Sequence, residues 1–206
     1  MSSLAVNQGV SELTYRHDSL AENGLIEAAK LGDLEAFNCL VLLYQDSLYW
    51  WVYSLVHDEA QADDIAQSTF ITAYQKLQIF RGGSFKSWLF TIARNRSFDQ
   101  LRQMKRRPSV RLDDPAEDDR DRLELLPDVA SLPEETLLAA EQAKLVEQMI
   151  HRLPDAFQQV IRLIDMEGLD YQDAAKILNL PLGTIKSRLT RARQKMRSLF
   201  ELSGQL

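Results

Sequence analysis

Apolar side chains return every third and fourth position along most of the chain: Leu25, Ala28 and Ala29; Phe37, Leu40, Val41 and Tyr44; Ile65, Thr69, Phe70, Ala73 and Leu77; Trp88, Ile92, Phe98 and Leu101. That is the spacing of one face of an α-helix, and no run alternates as a half-buried strand would. Glycine and proline are sparse, at 8 and 6 residues, and most of both fall at segment ends. The pattern predicts an all-α chain. It lapses over the first 18 residues, which read as a mobile tail. It lapses again at "DDPAEDDRDRLELLPDVASLP", where three prolines and dense acid read as an extended linker. The prediction is therefore two small helical domains, residues 19–111 and 135–206, joined by a flexible acidic linker at 112–134. Each is large enough for one modest core.

The last third of the chain is the most specific. In "DYQDAAKILNLPLGTIKSRLTRARQKMRSL", Asp170 is placed to cap a short helix, residues 179–181 form a turn, and a second helix follows with proline near its first turn. This is a helix-turn-helix pattern. On a helical wheel, Ile185, Leu189, Ala192, Met196 and Leu199 form one stripe. Ser187, Thr190 and Gln194 lie opposite it, with Lys186 and Arg191 flanking the polar side.

Charge sharpens the picture. The whole chain has a formal net charge of -6, yet the sign alternates by segment. Residues 1–80 hold 11 acids and 3 bases, residues 81–111 hold 9 bases and 1 acid, and residues 112–135 hold 10 acids and 2 bases. Residues 184–197, "TIKSRLTRARQKMR", hold six bases and no acid. A solvated surface helix usually mixes both signs, because like charges at i,i+4 are unfavourable. A basic membrane-surface or calmodulin-target helix needs a broad apolar face with aromatics, and only Phe200, beyond the basic run, supplies one. Short polar donors among arginines instead suit the DNA major groove. Ser187, Thr190 and Arg191 are then placed for base edges, and Lys186, Arg188 and Arg193 for phosphates.

The other basic block interleaves Lys86, Arg94, Arg96, Arg102, Lys105, Arg106 and Arg107 with Phe85, Trp88, Phe90 and Phe98. Most of these aromatics are expected in the core of a small helical domain. Cations with a few exposed rings would also hold single-stranded DNA, the backbone by charge and the bases by stacking. The two glycines of "FRGGS" would let the backbone approach an unstacked base.

Other chemistries find no support. The single cysteine, Cys39, excludes an internal disulfide and fits a reducing cytoplasm, and His17, His57 and His151 are too scattered for metal-ligand spacing. No cofactor is expected. No apolar run approaches the roughly 20 residues of a membrane span, and the polar start has no signal-peptide character. There is no Gly-rich phosphate loop and no nucleophile motif, so an enzyme is not expected. A helix-turn-helix regulator that binds duplex DNA alone is the closest rival. It explains the C-terminal half, and leaves the basic-aromatic block and the acidic helix around Asp63 without a role.

Two long stretches resemble a known family. "EAQADDIAQSTFITAYQKLQIFRGGSFKSWLFTIARNRSFDQLRQMKRRP" is similar to region 2 of bacterial sigma-70 family sigma factors, and "LPDAFQQVIRLIDMEGLDYQDAAKILNLPLGTIKSRLTRARQKMRSL" is similar to region 4. With only a linker between them, the chain resembles the extracytoplasmic-function (group 4) type. The resemblance implies a cytoplasmic bacterial initiation factor that binds core RNA polymerase at its clamp coiled coil and flap, and binds promoter DNA. An anti-sigma factor is a further candidate partner. Asp63, Asp64, Gln67 and Phe70 match the segment that docks on the clamp. Arg81, Gly82, Ser84, Lys86, Trp88, Arg94, Asn95 and Arg102 match the part that recognises and opens the minus-ten element. Thr184, Lys186, Ser187, Arg188, Thr190, Arg191 and Arg193 match the reader of the minus-thirty-five element. Ser68, Gln158 and Ala174 stand where the family usually has glutamate, arginine and isoleucine. The linker, with net charge -8 over residues 112–135, would suit the positively lined nucleic-acid path of polymerase, or serve simply as a solvated tether.

Overall fold

The computed structural model describes residues 21–106 and 134–202; the tail and linker expectations lie outside them. Every regular element among the described residues is helical. The chain divides into two compact units, one taking residues 1–53 and 58–96, the other 54–57 and 97–206.

The first unit is built from α1 (residues 21–30), α2 (Leu34–Val56) up to residue 53, α3 (Glu59–Lys76), a 3-10 turn (Leu77–Ile79) and α4 (Phe85–Arg106) up to residue 96. Carboxylates start two of these helices: Asp33 accepts a hydrogen bond from the Ala36 amide at 3.1 Å, and Asp58 from the Gln61 amide at 2.8 Å. The core is aromatic. Trp51 and Phe90 pack with ring centroids 5.3 Å apart, Tyr44 and Phe85 at 5.9 Å, and Phe37 meets Tyr74 edge-on at 4.9 Å. One expectation needs correction. The buried face of α4 is Phe85, Leu89, Phe90 and Ala93, whereas Trp88 and Ile92 are half-buried and Phe98 is exposed. Large apolar residues on both sides of α4 left its wheel ambiguous, and packing against α2 chose the side.

In the second unit, α5 (Glu134–His151) leads into α6 (Asp155–Ile161), which runs on as a π turn (Arg162–Met166), then α7 (Tyr171–Leu178) and α8 (Leu182–Leu202). Gln158 is buried and donates to the Leu153 carbonyl at 2.9 Å and the His151 carbonyl at 3.3 Å, closing the end of α5. Ala174 is fully buried. The buried Arg162 forms a two-bond pair with Glu147, at 2.7 and 3.0 Å, tying α5 to the π turn.

Candidate nucleic-acid interface

The helix-turn-helix forms as predicted. Asp170 accepts from the Asp173 amide at 2.7 Å to start α7. Asn179 ends it in the left-handed region at φ 53°, where asparagine is better tolerated than most residues. The Pro181 carbonyl then accepts from Thr184 and Ile185, at 2.9 and 3.2 Å, so α8 starts at once. Its core face is narrow: Ile185, Leu189 and Ala192 are buried. Lys186, Ser187, Thr190 and Arg191 are all exposed, and Thr184 and Arg188 are half-exposed. From Thr184 to Arg191 this set spans eight residues of helix, about 12 Å, which fits a major groove. Ser187 and Thr190 hydroxyls donate back to the Thr184 and Lys186 carbonyls, at 3.0 and 2.9 Å, leaving oxygen lone pairs outward. Arg193 is different: its guanidinium is held by Asp165, Nε at 3.0 Å and a terminal nitrogen at 2.5 Å. Those bonds to Asp165 are the main reason its pKa lies above the usual arginine value.

In the first unit, the turn between Phe80 and α4 carries Arg81, Gly82, Gly83 and Ser84, all exposed. Both glycines have positive φ, 97° and 90°, a conformation that a side chain would strain. Ser84 caps α4, accepting from the Ser87 amide at 3.0 Å. Trp88 packs on Phe80 and Phe85, at 5.0 and 5.6 Å, so this ring is anchored in the core while remaining half-exposed. Lys86 lies 5.6 Å from the Tyr44 ring centroid. Arg94 donates to the Asn95 side chain at 3.3 Å, and Arg102 pairs with Asp99 at 3.0 Å. Lys86 and Arg102 are 16 residues apart, about 24 Å of helix, so these residues form a track along α4 rather than one cluster. Arg96, half-exposed, donates to Thr72 of α3.

On α3, Asp63, Asp64 and Gln67 are exposed, with Gln67 donating to Asp63 at 2.8 Å. Asp58 is the cap and Glu59 the first-turn acid, so Asp63 and Asp64 lie beyond the turn in which acids support a helix N-terminus. Phe70 is only 8% exposed; it anchors α3 to the core instead of facing outward. Ser68 donates to the Ile65 carbonyl at 3.0 Å, within its own helix. Tyr49 of α2 joins this face unannounced by the sequence. Partial burial raises its pKa, and the nearby Glu59, Tyr53 and Asp63 add to the rise.

A family model described as Sigma-70 region 2 matches residues 40–107, and one described as Sigma-70, region 4 matches residues 143–196. The chain belongs to the sigma-70 family. It is of the extracytoplasmic-function type. RNA polymerase sigma-H factor of Pseudomonas aeruginosa is 38% identical over 174 residues, covering 82% of this chain and 89% of its own. The ECF RNA polymerase sigma-E factor of Haemophilus influenzae is 35% identical, covering 86% of this chain and 94% of its own. Among solved structures, the sigma factor RpoE of Bartonella quintana, in complex with the anti-sigma factor NepR, is 28% identical with a TM-score of 0.57, covering 82% of this chain and 98% of that one. As a sigma factor, the chain directs promoter-specific transcription initiation by RNA polymerase. No described helix is long and apolar enough to cross a membrane.

Proposed function

We propose that this sigma factor divides promoter recognition between its two units. In the second, Ser187, Thr190 and Arg191 read base edges of the minus-thirty-five element, while Thr184, Lys186 and Arg188 hold phosphates. In the first, Arg81, Gly82, Ser84 and Trp88 capture an unpaired base of the minus-ten element, and Lys86, Arg94, Asn95 and Arg102 track its backbone. Asp63, Asp64 and Gln67 contact the clamp coiled coil of core polymerase, and the second unit also meets the flap. The observation that carries this reading is α8: its only buried residues are three on one stripe, and the predicted readers lie outside that stripe. Binding energy from captured bases offsets part of the melting cost, and polymerase performs the chemistry. RpoE of Bartonella quintana is held by an anti-sigma factor; a comparable partner is assigned to this chain, in a bacterial cytoplasm.

DNA binding measured with and without core polymerase tests the division. The reading expects tight promoter binding only with core, and Arg191→Ala should reduce dependence on the minus-thirty-five element more than binding to core. Tight duplex binding by the chain alone, or equal loss of both properties, would contradict it.

A further inference from the structure

The π turn at Arg162–Met166 carries two ion pairs to two different helices. Arg162 reaches back to Glu147 of α5, and Asp165 reaches forward to Arg193 of α8. In an ordinary α-helix, residues three apart share a face. An i→i+5 turn widens the angle between them, and the Glu167 amide donating to the Arg162 carbonyl at 2.9 Å closes that wider turn. The turn thereby aims Arg162 and Asp165 at different neighbours.

The consequence concerns α8. Its buried stripe of Ile185, Leu189 and Ala192 is narrow and apolar, and apolar contact is non-directional. It holds the helix against the unit but supplies no directional bond about the helix axis. A two-bond guanidinium–carboxylate fork is directional. Arg193 sits about 80° around the helix from Ile185, on the flank next to the core, whereas Ser187 is about 200° away. Lys186, Arg188 and Arg191 have no acid partner among the described residues, whereas Arg193 is already neutralised.

We propose that Arg193 is a positioning residue and that Asp165 sets the rotation of α8, so reading of the minus-thirty-five element depends on an acid of the wrong charge to touch DNA. This rests on the assignment of α8 as the reader. Asp165 also keeps Arg193 from adding a phosphate contact that would strengthen binding to every sequence alike.

The test uses polymerase reconstituted with full-length variants, binding promoter fragments with intact or scrambled minus-thirty-five elements over a salt series. Arg193→Lys keeps a charge suited to phosphate but loses the fork. It should lower discrimination between the fragments roughly three- to tenfold, a fraction of what one good base contact supplies, with the salt slope unchanged. Asp165→Asn should lower discrimination similarly, by raising binding to the scrambled fragment, and should steepen the slope by up to about 0.9 as Arg193 becomes free for phosphate. Loss of folding alone would not steepen that slope. The pair is half-exposed, at 55% and 30%, so both variants should fold. The proposal is overturned if Arg193→Lys behaves as the unmodified protein while Arg193→Ala makes the slope shallower by about 0.9, the behaviour of a direct phosphate contact. Arg191→Ala separates the two levels. If it leaves discrimination intact, the reader assignment falls and the proposal with it; if it abolishes discrimination while Arg193→Lys and Asp165→Asn leave discrimination unchanged, the proposal alone falls.

Discussion

The two basic blocks of this sigma factor are built in opposite ways. In α8, the residues assigned to DNA and the residues assigned to the core lie on different sides of one helix, and three small or branched side chains suffice for the core. Around the 81–84 turn the two duties overlap. Phe80 and Phe85 are buried, Trp88 leans on both, and Lys86 covers the Tyr44 ring. Binding a duplex groove needs only a rigid exposed face, whereas capturing an unpaired base needs a shaped recess built from core side chains. Function and stability should therefore separate in the second unit and move together in the first.

Phe85→Ala tests the overlap most severely. Removing a ring that is 1% exposed and touches Tyr44, Phe80 and Trp88 should cost about 3–5 kcal/mol and abolish promoter opening. All three tryptophans, Trp50, Trp51 and Trp88, lie in the first unit, so fluorescence during urea unfolding reports that unit. Glu147→Ala is the counterpart in the second unit. It strands Arg162, which is 4% exposed, and should cost roughly 3 kcal/mol by far-UV circular dichroism, with tryptophan unfolding unmoved. A shift of the tryptophan transition as well would show that the loss reaches the first unit. Gly83→Ala places a side chain at φ 90° and should cost about 1–3 kcal/mol. Permanganate reactivity of the unpaired strand should fall with it; a stability loss without that fall would uncouple the turn from opening. Lys186→Ala is the smallest change. Stability should stay within about 0.5 kcal/mol, while the salt slope of holoenzyme binding should become shallower by about 0.9.

The same contrast explains what could be read from sequence. The α8 face was legible because charge, polarity and the helical period agree over residues 184–197, and Asp170 and Pro181 mark the helix starts in local chemistry. The buried face of α4 was not, because Phe85, Trp88, Phe90 and Phe98 offer apolar material on both sides, and only the positions of Tyr44 and Trp51 on α2 decide between them. Phe70 is matched to a partner contact by the family resemblance, whereas its place on the apolar stripe of α3 points to the core; at 8% exposure it belongs to the core. The Asp165–Arg193 pair spans 28 positions with no local signal at either end. Arg193 read as one more cation in a basic run, and the π turn that aims Asp165 at it leaves no mark in composition.

If two DNA-reading units act together on polymerase, the promoters selected carry the mark of both. Run-off transcription by core polymerase plus this protein on a pool of genomic promoter fragments, with start sites mapped, tests it most directly. New starts should appear that require the protein and share two upstream elements at a fixed spacing, with Arg191→Ala weakening selection for the upstream one. No starts beyond those of core polymerase alone, or starts sharing a single element indifferent to Arg191, would contradict it.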